Sequence, residues 1–218
     1  MADTNVQEDL NMVIAELEKK CVEKPKSLQV HHQLGLVYRK AGRLADAVRE
    51  LKKAVELDPL SVESLVNLGA VYFDQGEVDL ARQANEQALK VNPQTAQAHA
   101  NLGLIWQRQG DVHKAIASYT EATRNDPKLV TAWINLTSAL IMAGENEKAL
   151  EAARNGVKLD EDFAMAHNNL AVALYYMQDY VDAKTHVDRA RALGYAVEPR
   201  FLEALDKELK ELGDDAQY

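Results

Sequence analysis

Metal binding or nucleophilic catalysis in this chain would depend on six histidines and a single cysteine, Cys21. One cysteine permits no internal disulfide, and no metal site can be built from cysteines. Cys21 lies near Lys19, Lys20 and Lys24 but has no evident base partner in the sequence. We predict that it is an inert residue, and modest thiol reactivity is the alternative.

Three of the histidines share one spacing, because His31, His99 and His167 stand 68 residues apart. If the chain repeats regularly in helical layers of about 8–10 Å, residues two repeats apart are separated by roughly 20 Å. A metal ion lies about 2 Å from each of its ligand atoms. These histidines therefore cannot share one ion, and we predict no metal site and no cofactor.

The sequence offers no sign of acid–base or phosphate chemistry. Its carboxylates are abundant but scattered, as is ordinary for salt pairs on a surface. Its glycines follow a long regular spacing instead of clustering in a phosphate-binding loop. With no nucleophile–base pair suggested, we predict that the chain is not an enzyme and has no catalytic residues.

Composition indicates which kinds of partner and which cellular location to expect. The 218 residues carry a net charge of −9, which argues against a protein that binds nucleic acid through phosphates. No apolar run approaches the roughly 20 residues that span a bilayer. The first residues, Met-Ala-Asp-Thr-Asn, do not read as a secretory signal. The expectation is a cytoplasmic protein without membrane insertion.

An internal repeat of 34 residues organises the chain. Four independent sets of residues keep this step in one phase, which chance does not explain. The sets are Pro25, Pro59, Pro93 and Pro127; Gly42, Gly76, Gly110 and Gly144; Leu34, Leu68, Leu102, Leu136 and Leu170; and Ala47, Ala81, Ala115, Ala149 and Ala183.

One period reads as helix–turn–helix. Leu65, Leu68 and Tyr72 recur at helical spacing and form one apolar stripe. Gly76 suits the left-handed end of the first helix, where a Cβ would clash. The second helix ends before Pro93, because the residue that precedes a proline avoids helical geometry.

These residues resemble the tetratricopeptide repeat family. The first repeat matches the family pattern with Leu34, Gly35, Tyr38, Ala47, Leu51, Ala54 and Pro59. The third repeat matches it with Leu102, Gly103, Trp106, Ala115, Tyr119, Ala122 and Pro127. The resemblance implies an all-α fold, a right-handed α-solenoid. It also implies that the three histidines replace a semi-buried aromatic, since Trp133 occupies the same position in the fourth repeat.

The phase of the repeat predicts the domain boundaries. Residues 1–27 form an N-terminal capping helix, and a capping box at Thr4–Gln7 opens it. Five repeats, the last degenerate, cover residues 28–61, 62–95, 96–129, 130–163 and 164–197. A C-terminal capping helix at residues 198–213 precedes a frayed tail at 214–218. Departures from the pattern cluster late and include Thr137, Gly156, Glu161, Ala171, Gln178 and Tyr195.

A polar ladder marks the expected binding surface. Just before each repeated leucine stands an amide: Gln33, Asn67, Asn101, Asn135 and Asn169. In the family the first helices line a concave groove, where such amides can both donate to and accept from an extended peptide. The ladder is similar to that of the O-linked N-acetylglucosamine transferase superhelix, without its catalytic domain. The structural alternative is that these asparagines bridge neighbouring helices or cap backbone carbonyls.

The other predicted groove positions change in character along the chain. The early ones are Lys40, Phe73 and Arg108, and the late ones are Ile141, Tyr175 and Tyr176, accompanied by Met142 and Met165. Aromatic anchors on a rigid wall are typical binding hot spots, so we expect an apolar peptide segment with one or more acidic residues. The alternative is that the C-terminal helix or a second copy covers the late apolar set.

The resemblance also argues against one ligand and leaves two functions open. The Lys–Asn pair that binds chaperone acidic tails is missing, since the paired positions read His32 and Leu36, Val66 and Ala70, or Ala100 and Leu104. We expect a non-catalytic scaffold or adaptor that binds a partner's extended peptide segment. The alternative is self-association into a structural homo-oligomer through repeat faces or end helices.

Overall fold

The computed structural model describes the backbone of residues 2–215 and the side chains of residues 9–212. The described residues form twelve α-helices and no strand, which confirms the all-α prediction. The helices are α1 Ala2–Glu23, α2 Leu28–Lys40, α3 Leu44–Leu57, α4 Val62–Asp74, α5 Val78–Val91, α6 Ala96–Arg108, α7 Val112–Asn125, α8 Val130–Met142, α9 Asn146–Leu159, α10 Ala164–Tyr176, α11 Tyr180–Ala192 and α12 Pro199–Asp215.

The chain divides into two compact units, residues 1–105 and 106–218. In the first unit, α2 packs on α3 and α4 on α5, while α3 also packs on α4 of the next pair. In the second unit, α8 packs on α9 and α10 on α11, and α9 packs on α10. Each unit is therefore a run of stacked helix–turn–helix pairs.

A left-handed residue ends the first helix of each pair. Gly42 has a φ of +72°, and the next backbone N–H, from Arg43, donates to the Tyr38 carbonyl at 2.9 Å. This arrangement is a Schellman motif, which closes the helix and reverses the chain. In the last pair Gln178 takes the same conformation, with a φ of +64°. The backbone geometry of the turn is thus kept even where its glycine is lost.

The second helix of each of the first four pairs ends at an aspartate or asparagine in extended conformation. Asp58 and Asn92 precede prolines, and each side-chain oxygen accepts from the N–H two residues later at 3.0 Å. Asp160 makes the same contact at 3.1 Å although Glu161 follows it in place of proline. This Asx turn holds the end of the helix without the proline.

Small residues let the helices of a pair approach each other. Ala47, Ala81 and Ala115 have no exposed surface. A Cβ added at Gly69 would lie 2.3 Å from Asn85 Nδ2 and 3.1 Å from the Ala81 carbonyl oxygen. The α4–α5 contact therefore requires glycine at this position.

The end helices differ in detail from the prediction. α1 begins at Ala2, so Thr4 lies inside the helix and does not open it; the side chains of the predicted capping box lie outside the described residues. Ile14 and Leu17 give α1 a buried face. α12 runs from Pro199 to Asp215 and buries Leu205 completely. Part of the predicted tail is thus helical, and residues 216–218 lie outside the described residues.

Candidate functional site

Two members of the amide ladder bridge neighbouring first helices. Asn101 Nδ2 donates to the Val66 carbonyl at 3.4 Å and to Asn85 Oδ1 at 3.0 Å, and Gln97 Nε2 donates to Asn101 Oδ1 at 3.2 Å. Asn169 repeats the arrangement, with Nδ2 donating to the Ile134 carbonyl at 3.1 Å. Both side chains are buried, with 8% and 9% exposure. Their amides already have intramolecular partners, in the geometry of the structural alternative.

The remaining ladder members are more accessible. Asn67 and Asn135 are half-buried, and Gln33 is exposed. Asn67 Nδ2 donates to the carbonyl of Glu63 in its own helix at 2.9 Å, and it approaches His32 Nε2 at 3.5 Å. A peptide would therefore reach these three amides more readily than those of Asn101 and Asn169.

Exposed apolar side chains cluster on the first helices of the second unit. Met142, Met165 and Tyr176 are exposed by 60%, 42% and 52%. Asn135 lies two turns before Met142 on α8, and Met165 lies three turns before Tyr176 on α10, so each pair shares a helix face. α8 also packs on α10, so the two faces are carried by adjacent helices. We call Asn135, Met142, Met165 and Tyr176 the apolar face.

Tyr175 has a different environment from Tyr176. Its ring lies edge-on to Phe201 of α12, with centroids 5.5 Å apart, and it also contacts Tyr180 at 5.4 Å. The C-terminal helix therefore covers Tyr175 in part, as the alternative prediction held. Ile141 is half-buried, and Tyr176 presents its exposed ring beside this aromatic cluster.

Charged side chains of the early repeats include an ion pair between two first helices. Arg39 Nε donates to Asp74 at 2.7 Å, which links α2 to α4. Lys40 and Arg108 are exposed, and Phe73 is half-buried. An acidic partner side chain would therefore find the Lys40 and Arg108 side chains accessible to solvent.

In four of the five repeats, a ring nitrogen at the histidine position fastens the first helix to the preceding loop, whereas the second repeat has Leu65 there. Trp133 Nε1, which can only donate, binds the Pro127 carbonyl at 2.9 Å. His99 Nε2 contacts the Pro93 carbonyl and His167 Nε2 the Glu161 carbonyl, both at 2.9 Å. Each acceptor lies six residues upstream. The histidines thus occupy the aromatic position as expected, and the carbonyl assigns a proton to their Nε2.

The sequence analysis missed a partner of Cys21. Its Sγ lies 3.8 Å from His31 Nδ1, and that nitrogen lies 2.8 Å from Glu50 Oε2. The expectation that Cys21 has no base partner was therefore wrong. Burial raises the pKa of the Cys21 thiol, and the charges of Glu50 and Glu18 raise it further. A signal existed in the sequence, because Glu50 occupies a position that is Ala84 and Ala152 in other repeats.

The fifth repeat places a histidine pair at the equivalent positions. His167 Nδ1 and His186 Nδ1 lie 2.9 Å apart, and the two rings stack. Since His167 Nε2–H donates to a carbonyl, its Nδ1 accepts a hydrogen bond from His186 Nδ1–H. Burial lowers the pKa of His186, the charge of His167 lowers it further, and Asp182 partly opposes the shift.

Comparisons with known proteins identify the fold and the repeat. Sequence models described as "TPR repeat" and "Tetratricopeptide repeat" match residues 35–76 and 60–128. None of the curated proteins matches the chain. No helix in the described part of the chain is long and apolar enough to cross a membrane.

Solved structures show the same architecture. Pseudomonas aeruginosa PilF superposes with a TM-score of 0.76 at 24% identity, over 89% of this chain and 88% of that one. MamA gives 0.63 at 24%, over 73% and 94%. YrrB, described as a TPR protein with an unusual peptide-binding site, gives 0.61 at 19%, over 82% and 92%. At these identities the likeness shows the fold alone. The 34-residue period, the paired helices and the two family models, which match residues 35–128 between them, identify the repeats of this chain as tetratricopeptide repeats.

Proposed function

We propose that this protein is a non-catalytic scaffold that binds an extended, largely apolar segment of a partner protein on the apolar face of α8 and α10. Tetratricopeptide repeats generally serve protein–protein interaction, and the chain contains such repeats. The observation that carries the proposal is the exposure of Met142, Met165 and Tyr176 on two adjacent first helices. Large apolar side chains exposed together on adjacent helices are typical of an interaction site.

The chemistry of the face supports a peptide more than a small molecule. Tyr176 offers a rigid aromatic anchor, and the two methionines adapt to varied side chains. The half-buried amide of Asn135 can pair with a peptide backbone. Lys40 and Arg108 are the proposed contacts for acidic residues of the partner. Further candidate contacts are Gln33, Asn67, Phe73 and Ile141.

Asn101, Asn169 and Tyr175 have a smaller part in the proposal. Their side chains are engaged by Asn85, by a neighbouring backbone carbonyl and by Phe201 respectively. A peptide would have to displace these contacts to bind them, which costs roughly the net value of each hydrogen bond, about 1 kcal/mol. We propose that they position the helices that carry the exposed residues.

A peptide-display selection tests the proposal. Random extended peptides are selected on the full chain, and their affinities are measured by fluorescence anisotropy against the wild type and the Met142→Ala/Tyr176→Ala variant. Loss of two hot-spot side chains should weaken binding by about 30-fold or more, corresponding to about 2 kcal/mol. Val181→Ala is the matched control, because Val181 is 64% exposed but lies on the second helix α11. Equal affinity for all three proteins would refute the proposed site.

Self-association is the second candidate function, and the outer side of α1 favours it. Met12 and Val13 are exposed by 71% and 44%. Val13 also borders an open groove of about 320 Å³ that Leu17, Leu36 and Val37 help to line. Light scattering over a concentration series tests this candidate with wild type and Val13→Asp. A concentration-independent monomer would exclude it, while an oligomer that Val13→Asp dissociates would establish it.

A further inference from the structure

Three metal-binding side chains from three different helices converge in the first unit. Cys21 lies near the end of α1, which packs on α2, while His31 lies on α2 and Glu50 on α3. One ligand atom from each, Sγ, Nδ1 and a carboxylate oxygen, lies within 4.8 Å of the other two. His31 and Glu50 are buried, and Cys21 is half-buried.

The orientation of His31 is fixed by a contact on its far side. His31 Nε2 lies 3.1 Å from the Pro25 carbonyl, so the ring donates there and directs Nδ1 at Cys21 and Glu50. Histidines that bind metals ordinarily donate their other ring N–H to a carbonyl or carboxylate, which sets the tautomer. Glu50 is also held, because Arg49 Nε donates to its other oxygen, Oε1, at 2.9 Å.

Two of the three donor separations lie near those around a tetrahedral ion. Bond lengths of about 2.3 Å to sulfur and about 2.0 Å to nitrogen and oxygen give sulfur–nitrogen separations of roughly 3.5 Å and nitrogen–oxygen separations of roughly 3.3 Å. Cys21 Sγ and His31 Nδ1 are 3.8 Å apart. His31 Nδ1 and Glu50 Oε2 are 2.8 Å apart, so Glu50 must withdraw by about half an ångström to admit the ion.

We propose that Cys21, His31 and Glu50 form a site for a divalent transition-metal ion of the zinc class. The thiolate is a soft donor and the imidazole a borderline one, and together they favour Zn²⁺ and Co²⁺ over Mg²⁺ or Ca²⁺. The carboxylate is a hard donor that zinc also accepts. A thiolate and a carboxylate together balance the charge of a divalent ion. Three protein ligands leave the fourth tetrahedral position to water.

The ion would fasten α1 to the first repeat. Without it, α1 is held by its buried face of Ile14 and Leu17 and by the bond from Tyr38 Oη to Glu18 Oε1 at 2.5 Å. A metal bond between Cys21 and the α2–α3 pair adds a link near the end of α1. Binding to the folded state alone stabilises it in proportion to the logarithm of metal concentration.

Cobalt titration of the tag-free full chain tests the site. Co²⁺ bound to a thiolate gives a charge-transfer absorption band, and Cys21 is the only cysteine in the protein, so this band reports on a single residue. We expect one Co²⁺ per chain with the band present. We also expect Zn²⁺ to displace the cobalt and to raise the melting temperature.

The repeat supplies a variant that should fold. Cys21 lies four residues before Pro25, and Val55 lies four residues before Pro59, the equivalent proline of the next repeat. Cys21→Val therefore introduces a side chain that the fold accepts at the same repeat position. This variant should lose the band and bind Zn²⁺ at least 10-fold more weakly. Glu50→Gln should retain a band at higher Co²⁺ concentration. The control is His99→Gln, which removes the equivalent histidine of the third repeat and should leave the cobalt band and the Zn²⁺ affinity unchanged.

Two results would overturn the proposal. One is a wild-type chain that shows no thiolate band at saturating Co²⁺. The other is a folded Cys21→Val protein, verified by circular dichroism, that binds Zn²⁺ with wild-type affinity. Either result would leave Cys21, His31 and Glu50 as a hydrogen-bonded cluster that only packs α1 onto the first repeat.

Discussion

At the scale of single residues, the hydrogen bond made by one ring nitrogen of a histidine determines which group its other ring nitrogen meets. His31, His99, Trp133 and His167 each bind a carbonyl six residues upstream. The remaining nitrogen of the buried histidines then determines local chemistry, because it meets Cys21 and Glu50 in one repeat and His186 in another.

A substitution at Gln178 measures the free-energy cost of a left-handed residue other than glycine. Its φ of +64° is the conformation that glycine adopts at Gly42, Gly76, Gly110 and Gly144. Gln178→Gly should raise the free energy of unfolding by up to about 1 kcal/mol, because the Cβ no longer clashes in this region. Urea denaturation measures the change.

The control for that substitution is Gln75→Gly. Gln75 has a right-handed φ of −76°, so glycine relieves no strain there and should lower stability by about 0.5–1 kcal/mol through the entropy of the unfolded chain. Equal effects at the two positions would contradict the argument from backbone conformation.

The lowered pKa of His186 predicts that the free energy of unfolding depends on pH. Burial and the charge of His167 lower its pKa in the folded state, whereas in the unfolded state the pKa is about 6.5. Below about pH 6.5 the unfolded chain binds a proton that the folded chain does not, so the free energy of unfolding falls as pH falls. His32, whose pKa burial also lowers, acts in the same direction.

Urea melts at pH 7.5 and pH 5.5 measure this effect. His186→Gln should lose less stability between the two pH values than the wild type does, while His113→Gln, which removes an exposed histidine of α7, should follow the wild type. A larger loss in His186→Gln than in the wild type would reverse the assigned sign.

At the scale of helices, the spacing of side chains sets how closely a pair can pack. α4 and α5 meet at Gly69 and Ala81. The repeat pattern did not predict Asn85, which replaces the large apolar residue found as Leu51 and Tyr119. Asn85 is fully buried because its amide pairs with Ala81 and Asn101. That pairing depends on a residue of the next repeat, which a local pattern does not reveal.

Two glycines should respond in opposite ways to alanine. In Gly156→Ala the added Cβ finds neighbours at 3.8–4.0 Å, an ordinary contact, so the variant should gain about 0.5–1 kcal/mol from helix propensity. In Gly69→Ala the Cβ meets Asn85 Nδ2 at 2.3 Å, and the bonds of Asn85 prevent it from moving away. We expect a loss of about 1–3 kcal/mol. Thermal melts of both variants decide the matter, and stabilisation by both would contradict the packing argument.

At the scale of the whole molecule, the 34-residue period was sufficient to predict the fold. Periodic leucines, alanines and turn glycines fix helix type, length and pairing, and the structure confirms an all-α protein of stacked helix pairs. The period is less informative about surface residues. Asn67 and Asn101 share a repeat position, yet one is half-buried and the other buried, because their neighbours in the preceding repeat differ.

Contacts between distant segments also escaped the sequence. Tyr175 and Tyr176 are adjacent and chemically identical, but only α12 decides which ring is covered. The convergence of Cys21, His31 and Glu50 likewise arises from three helices whose separate sequences carry no metal-binding motif. Conversely, the predictions of a cytoplasmic location and of an acidic feature in the partner stay predictions.

The central claim is that a partner protein binds the apolar face of α8 and α10, and affinity capture from native cell extract tests it most directly. Three baits are compared by mass spectrometry: wild type, Met142→Ala/Tyr176→Ala, and the exposed control Val181→Ala. The account predicts a protein retained by the wild type and by Val181→Ala but lost from the double variant, with all three baits folded. A partner retained equally by all three baits would contradict it.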